Sequence, residues 1–391
     1  MIRVARIITR LNVGGPAIQA IELSARLETA GYHTLLVHGR LGAGEGDMRY
    51  LLPPARAFEV ADTPALRRDV APLADAAALT RLVALLHRFR PAIVHTHMAK
   101  AGTIGRAAAL IYNATTGRRA PARLVHTYHG HVLEGYFSPA AARTFAAIER
   151  ALARRTDALV AVSAAVREDL RRDHGIDARR FPVVPLGFDL SRFAAIDRDA
   201  RTEARRRFPF DPDAHVVAFV GRLTAIKQPL LFVDAAARLA RVDARARFLV
   251  AGGGELEAAT RAAAEAAGLG NRFQMLGWCR DLTTVYAASD VVAITSRNEG
   301  TPVALIESMA AGDAAVCFDV GGVRDVITSP ELGVRVPPND VDALVAAVAA
   351  LVGDEARRAA IGARARTSAV ERFGIDRLVR DVDALYRDLV G

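Results

Sequence analysis

DVVAITSRNEGTPVALIESMAAG, residues 290–312, decides how the rest of the chain is read. DVVAITS (290–296) is a short run rich in β-branched residues, the pattern of a buried strand. RNEGT is the turn after it. Pro302 suits the first position of a helix with Thr301 as its cap, and Gly312 ends that helix about three turns on. A helix that starts at a strand end offers free backbone N–H groups to an anion such as a diphosphate. Glu299 lies just before it, and Glu307 roughly 8 Å along the axis from Pro302. A carboxylate beside a phosphate repels it unless it has another task, and the natural task is to accept hydrogen bonds from hydroxyls. A nucleotide sugar has hydroxyls on both sides of its diphosphate. The spacing therefore predicts two hydroxyl clamps around one phosphate-binding helix start. The plainer alternative makes Glu299 a solvated loop residue and pairs Glu307 with an arginine.

Outward from this stretch the same alternation recurs. Strands are expected at 4–9, 34–38, 93–96, 124–126 and 158–162, with helices at 16–30, 76–89 and 140–154. The pattern breaks at VVPLGFDLSRF (183–193). It restarts with strands at 215–221, 247–251, 272–277, 290–296 and 315–318 and helices at 229–240, 256–268 and 302–311, and further helices follow from 341. The apolar runs do not alternate cleanly, as expected of parallel strands covered on both faces. The fold class is α/β: two doubly wound parallel-sheet domains joined near residue 190. Ligands of such sheets bind beyond the carboxyl ends of the strands, so two such domains face to face make a cleft.

The chain has 391 residues, 51% hydrophobic and 6% aromatic, enough for two domains with aliphatic cores. Its formal charge of +9 favours anionic partners, whether nucleotide phosphates, an anionic membrane face or nucleic acid. Scattered arginines without a recognition motif speak against nucleic acid. Cys279 and Cys317 are too few for a disulfide framework or a four-ligand zinc site. No secretory signal opens MIRVARIITR, and the longest apolar run, Ala343–Val352, is half a membrane span and reads as a core helix. The expected location is cytoplasmic. Arg143–Val166 interleaves apolar residues with Arg143, Arg150, Arg154 and Arg155. That stretch is either a peripheral contact with an anionic membrane or an ordinary solvated helix face.

Among the basic residues only Lys100 and Lys227 are lysines. Lys227 lies in GRLTAIK (221–227), where Gly221 allows a tight turn and Arg222 and Lys227 can converge on a diphosphate. NVGGPA (12–17) brings Gly14 and Gly15 to the end of the first strand, without the dinucleotide fingerprint. GGG at 252–254 reads as a turn. HTH (95–97) and HTYHGH (126–131) put five histidines at strand ends. No carboxylate or cysteine stands at a metal-site spacing beside them, so one histidine is expected to meet substrate while the others orient loops. Asp-x-Asp at 211–213, 340–342 and 381–383 falls in a loop or on helices, unlike a Mg²⁺ site. No metal and no cofactor is expected.

Together these stretches resemble the retaining GT-B glycosyltransferases of family GT4, over nearly the whole chain. SRNEGTPVALIESMAAG (296–312) looks like that family's E-x7-E segment, and VGRLTAIKQP (220–229) is similar to its donor-phosphate loop. GAGEGDMRYL (42–51), VHTHMAKAGTIGR (94–106) and HTYHGHVLEGYFSP (126–139) are similar to bacterial members that build capsule, exopolysaccharide or lipid-linked glycans.

The resemblance implies an acceptor-side domain at 1–187, a donor-binding domain at 188–374, and a helix at 375–391 crossing back to the first. It implies that Glu299 binds the donor sugar and Glu307 the ribose. Gly300, Thr301, Pro302, Val303 and Ala304 would present their backbone to the diphosphate, which Arg222 and Lys227 neutralise. Gly14 and Gly15 would approach the donor from the other domain, His129 would lie near the transferred sugar, and Trp278 and Arg280 would border the base. The activity implied is metal-independent, retaining transfer from a nucleotide-sugar, with UDP expected, to a glycan or polyprenyl-diphosphate-linked acceptor. Alternatives are a nucleotide-sugar epimerase of the same fold and a non-catalytic nucleotide-sugar or glycan-binding protein. Two departures stand out. AGDAAVCFD (311–319) replaces the family's Pro-Val-Val-like run, and Arg324 stands where proline is common.

Overall fold

Every residue of β4 (Ile93–His97) and β11 (Ala314–Phe318) is buried, which places each strand in the middle layer of a three-layer sandwich. The computed structural model describes residues 1–42, 45–53, 58–116, 121–130 and 139–391. His131 and the rest of HVLEGYFS lie outside the described residues. Two units divide the chain: Met1–Phe188 with Ile375–Gly391, and Asp189–Gly374.

In the first unit β1 (Ile2–Ile8), β2 (Tyr32–His38), β3 (Glu59–Asp62), β4, β5 (Arg123–Tyr128) and β6 (Ala158–Ala161) form a parallel sheet in the order β3-β2-β1-β4-β5-β6. In the second, β7 (His215–Val220), β8 (Ala246–Ala251), β9 (Phe273–Gly277), β10 (Val291–Ile294), β11 and β12 (Val334–Val336) run in the order β12-β11-β10-β7-β8-β9. Both are Rossmann-like: the winding direction reverses between β1 and β4, and again between β7 and β10. The first strand of each sheet therefore has its carboxyl end beside that of the fourth, at the position where doubly wound sheets take their ligands.

One face of the first sheet is covered by the helices Pro72–Phe89 and Ala99–Thr115. The other carries Gly15–Glu28 and the helix Ile375–Val390. That last helix buries Leu378, Val382, Tyr386 and Leu389 against Val4, Tyr32 and Ile93. Arg377 fixes its start by donating to the carbonyls of Pro185 and Leu186 at 2.9 and 2.6 Å, and Tyr32 donates to Asp383 at 2.7 Å.

The structure adds elements that the sequence pattern hid. β3 is an edge strand with only Ala61 buried, so Glu59-Val-Ala-Asp62 shows no apolar run. The helix Ala99–Thr115 is rich in small residues because it lies hard on the sheet. A Cβ at Gly102 would stand 2.5 Å from the His126 ring, and one at Gly105 2.8 Å from Thr96. Arg143–Val166 is not one amphipathic face: it spans the end of the helix Pro139–Ala153, all of the buried β6, and the start of Ala164–His174. No helix among the described residues is long and apolar enough to cross a membrane.

The departure at Asp313 leaves strand β11 intact. Asp313 is buried and accepts from Arg201 at 2.9 Å, while Arg201 and Arg366 both donate to the Ala311 carbonyl.

Leu378→Ala should cost about 2–5 kcal/mol through the cavity left in the first unit. The single tryptophan, Trp278, is in the second unit. Denaturation followed by far-UV circular dichroism should therefore shift more than denaturation followed by tryptophan fluorescence. Equal shifts by both probes would contradict this division of the core.

Candidate active site

At the switch point of the second sheet, two loops leave β7 and β10 side by side and are stitched together. The Arg297 N–H donates to the Ile226 carbonyl at 2.8 Å. Thr295 Oγ1 lies 3.1 Å from both the Lys227 and the Gln228 carbonyl. Gln228 holds a left-handed backbone (φ 48°), a conformation that is costly outside glycine and is stabilised here by the bond to Thr295.

The stitching brings Lys227 to Glu299, 72 positions later in sequence. Lys227 Nζ donates to Glu299 Oε1 at 2.5 Å, and Ser296 Oγ donates to the same oxygen at 2.6 Å. Glu299 retains only 7% of its exposure, so it is not the solvated loop residue of the plainer reading. Phe219, Lys227, Ser296, Glu299, Pro302 and Ala304 share the lining of one recess. Gly321 and Gly322 pack beneath the loop. The Gly322 N–H donates to the Glu299 carbonyl at 2.9 Å, and a Cβ at Gly322 would lie 1.8 Å from the Gly300 oxygen. Arg324, the second departure, turns away to pair with Asp319 at 3.0 Å.

The helix begins one residue later than expected. It runs Val303–Ala311 with Pro302 at the cap position, and no side chain caps it, so Thr301 does not serve as the cap. Its ladder opens with Ile306 N–H to the Pro302 carbonyl at 3.1 Å, which leaves the N–H groups of Val303, Ala304 and Leu305 ahead of the ladder. Pro302 has no N–H, so within 300–304 the donors are Gly300, Thr301, Val303 and Ala304. Gly312 closes the helix in a left-handed turn, as the sequence indicates.

Glu307 is as buried as Glu299 but has a different partner. It accepts from the Tyr286 hydroxyl at 3.0 Å, and no arginine lies within ion-pair distance of it among the described residues. Burial pushes its pKa up to about 7, against the opposing effects of the Tyr286 bond and the charge of Arg192. The exposed Arg222 forms no ion pair among the described residues.

GGG at 252–254 turns out to be a spacer. A Cβ at Gly252 would meet the Gly221 oxygen at 1.8 Å, and one at Gly253 the Trp278 indole nitrogen at 2.5 Å. Only glycine lets the Gly221–Leu223 backbone and the indole close on the β8 turn from either side. Trp278 stays 48% exposed, and Arg280 is exposed two residues on.

In the first unit, Gly14 and Gly15 open the helix after β1. The Gly14 N–H is covered by Met48 Sδ at 3.4 Å, and Gly15 is buried. His129 follows β5 and joins a buried group that the sequence did not indicate. His97 Nδ1 lies 3.0 Å from His129 Nε2, and Arg6 Nη1 lies 3.4 Å from both His95 and His97. Of the two arginines in the apolar IRVARII run, Arg6 is the fully buried one.

The remaining candidates have structural partners. Lys100 pairs with Asp75 at 2.6 Å. The Asp-x-Asp aspartates are engaged by Arg247, Arg245, Arg238, Arg377 and Arg387, or cap a helix as Asp340 does. Among the described residues, no three His, Cys, Asp or Glu side chains are placed to hold a metal ion.

Residues 13–192 match the family model described as Glycosyltransferase Family 4, and residues 200–368 match the one described as Glycosyl transferases group 1. A UDP-Gal:alpha-D-GlcNAc-diphosphoundecaprenol alpha-1,3-galactosyltransferase of Escherichia coli is 28% identical over 345 residues, 87% of this chain and 86% of its own. A D-inositol 3-phosphate glycosyltransferase of Xylanimonas cellulosilytica is 34% identical over 300 residues, 73% and 69% of the two chains. Among solved structures, sucrose-phosphate synthase of Thermosynechococcus elongatus superposes with a TM-score of 0.83 at 22% identity, covering 100% of this chain and 99% of that one. HepE of Anabaena, solved in complex with UDP, gives 0.81 at 20% identity, covering 99% and 100%. At those identities the two structures speak for the fold alone. The two family models follow one another along the sequence, and the Xylanimonas cellulosilytica relative is 34% identical with 69% of its length covered, so the chain belongs to the GT4 family of glycosyltransferases, with the GT-B fold.

Proposed function

We propose that this glycosyltransferase moves a hexosyl group from a UDP-sugar to a polyprenyl-diphosphate-linked or other glycan acceptor, with retention of configuration and without a metal ion. The observation that carries the donor assignment is the Lys227–Glu299–Ser296 cluster beside the open start of the helix Val303–Ala311. Lys227 and the N–H groups supply positive potential for a diphosphate, and Arg222 adds an exposed guanidinium. Glu299 accepts from the sugar hydroxyls, its charge offset by Lys227. Glu307 takes the ribose hydroxyls, and Trp278 and Arg280 border the base. The UDP donor and lipid-linked acceptor rest on the name of the Escherichia coli relative.

The first unit is read as the acceptor side, with His129 near the transferred sugar and Gly14 and Gly15 at the donor. The reaction follows from what the cluster lacks. Glu299 is engaged by Lys227 and Ser296 and is better used on hydroxyls than as a nucleophile. The acceptor hydroxyl therefore attacks C1 from the side on which the diphosphate leaves. Its oxygen bonds to C1 as the C1–O bond to the diphosphate breaks, and the departing diphosphate oxygen takes the proton. Catalysis is then positioning plus stabilisation of the leaving charge.

Lys227→Ala should lower kcat by about 10²–10³-fold with a UDP-sugar and a polyprenyl-linked acceptor. Near wild-type turnover would remove the role given to Lys227. In a thermal-shift panel of UDP, GDP and ADP, UDP at 100 times its Kd should stabilise by about 2.7 kcal/mol, with EDTA making no difference. A shift that needs Mg²⁺ would overturn metal independence, and no shift with any nucleotide would overturn the donor site.

Glu307 sets a pH dependence. Ribose hydroxyls favour its ionised form, so UDP should bind more tightly as pH rises from 6 to 8, and calorimetry at pH 6 should detect proton release on binding. The unliganded protein should show the opposite trend in stability. Between the ordinary value of 4.5 and about 7 the folded state keeps a proton that the unfolded chain has lost, so this group's contribution falls as pH rises through that window. Glu307→Gln should flatten both trends; unchanged pH profiles would exclude Glu307 as their source.

A further inference from the structure

The histidines of the first unit form a wired group rather than loose loop supports. Arg6 has no exposed surface, and no carboxylate lies within ion-pair distance of it among the described residues. Its Nη1 contacts His95 Nδ1 and His97 Nε2, and those two rings stack with centroids 4.2 Å apart. His95 also meets the Tyr386 hydroxyl at 2.6 Å through Nδ1 and Thr127 Oγ1 at 2.7 Å through Nε2. His97 Nδ1 meets His129 Nε2 at 3.0 Å. His129 Nδ1 is enclosed and has no hydrogen-bond partner among the described residues.

We propose that Arg6 and His97 are positioning residues that hold His129 in the tautomer with its hydrogen on Nδ1, so that His129 carries no free base nitrogen. A guanidinium only donates, so the nitrogens it faces must accept. His97 therefore accepts at Nε2 and carries its hydrogen on Nδ1. That hydrogen points at His129 Nε2, which must accept in turn, and the remaining hydrogen of His129 falls on Nδ1, the nitrogen left unpartnered. The second branch is consistent. His95 accepts at Nδ1 from Arg6 and Tyr386, and its Nε2–H donates to Thr127.

Burial and the Arg6 charge hold His95 and His97 well below the ordinary histidine range, and burial takes His129 down to about 3. All three are thus neutral at neutral pH and each carries one ring hydrogen. With Nε2 accepting from His97 and Nδ1 carrying the hydrogen, His129 has no lone pair free to act as a base, which leaves the acceptor proton to the departing diphosphate. This role rests on the reading of His129 as the histidine that faces the sugar.

The test is long-range ¹H–¹⁵N correlation on the full chain labelled with [¹⁵N]histidine, with His129 assigned by the signals lost in His129→Gln. Wild type should show hydrogen on His129 Nδ1. In His97→Ala and Arg6→Met that tautomer should give way to Nε2–H or a mixture, with kcat falling about 10–100-fold and donor KM little changed. His97→Asn, whose amide N–H₂ stands in for the lost Nδ1 donor, should recover the tautomer and most of the turnover. It also separates the relay from a loss of folding in the other variants.

Hydrogen on His129 Nε2 in wild type, or an unchanged tautomer in His97→Ala, would overturn the proposal. Full turnover in His129→Gln with the tautomers as assigned would overturn the reading of His129, and with it the positioning role, leaving only the hydrogen-bond assignment. An inactive His129→Gln with the wrong wild-type tautomer would do the reverse.

Discussion

Glu299 is a buried carboxylate beside the open start of a helix, and its ion pair with Lys227 is the contact on which the second unit is arranged. Burying either charge alone would cost several kcal/mol, and the pair is tolerable because Ser296 shares the carboxylate and the two partners meet at 2.5 Å. The pair has a geometric consequence too. Its members come from the loops after β7 and β10, the strands that adjoin at the switch point. The sheet order, the backbone bond from Arg297 to Ile226 and the close seating of Gly322 all serve to keep these two charges in contact. The helix start, the recess and the Gly252–Gly254 spacer are arranged around that fixed point.

The two units share one topology but carry different chemistry at equivalent strand ends. In the second, β7 and β10 lead into a lysine, a glutamate and a helix start. In the first, β1 and β4 carry Arg6, His95 and His97, a set without a carboxylate partner among the described residues. One end gathers a buried ion pair beside free backbone N–H groups, the other a linked set of ring nitrogens. That division is readable only once the strand order is known, because Arg6 and His97 stand 91 positions apart in sequence and Lys227 and Glu299 72.

Local signals were legible and remote ones were not. The strand, turn and helix of 290–312 could be read because each depends on neighbours within a few residues, and the Gly312 stop held for that reason. The cap moved from Thr301 to Pro302 because a one-residue shift at a helix start costs little and is settled by tertiary packing. β3 escaped notice because an edge strand needs few buried residues, and the helix Ala99–Thr115 because its glycines answer to His126 and Thr96 rather than to helix propensity. The partner of Glu307 was missed for the same reason: Tyr286 lies on a helix whose approach only the fold reveals. Asp313, in the run that departs from the family pattern, is buried and paired with Arg201, a partner 112 positions away in sequence.

The helix Ile375–Val390 completes the core of the first unit, yet the whole of the second unit precedes it in sequence. During synthesis the first sheet must therefore wait. Val4, Tyr32 and Ile93 leave the ribosome early and remain without their cover until the last turns of that helix have been made. The second unit is continuous and meets no such delay. Assembly of this protein thus runs against the usual order, in which the earlier domain is finished first. The segment that ends the wait also carries Tyr386, which bonds to His95. The histidine wiring is consequently among the last features of the molecule to be set.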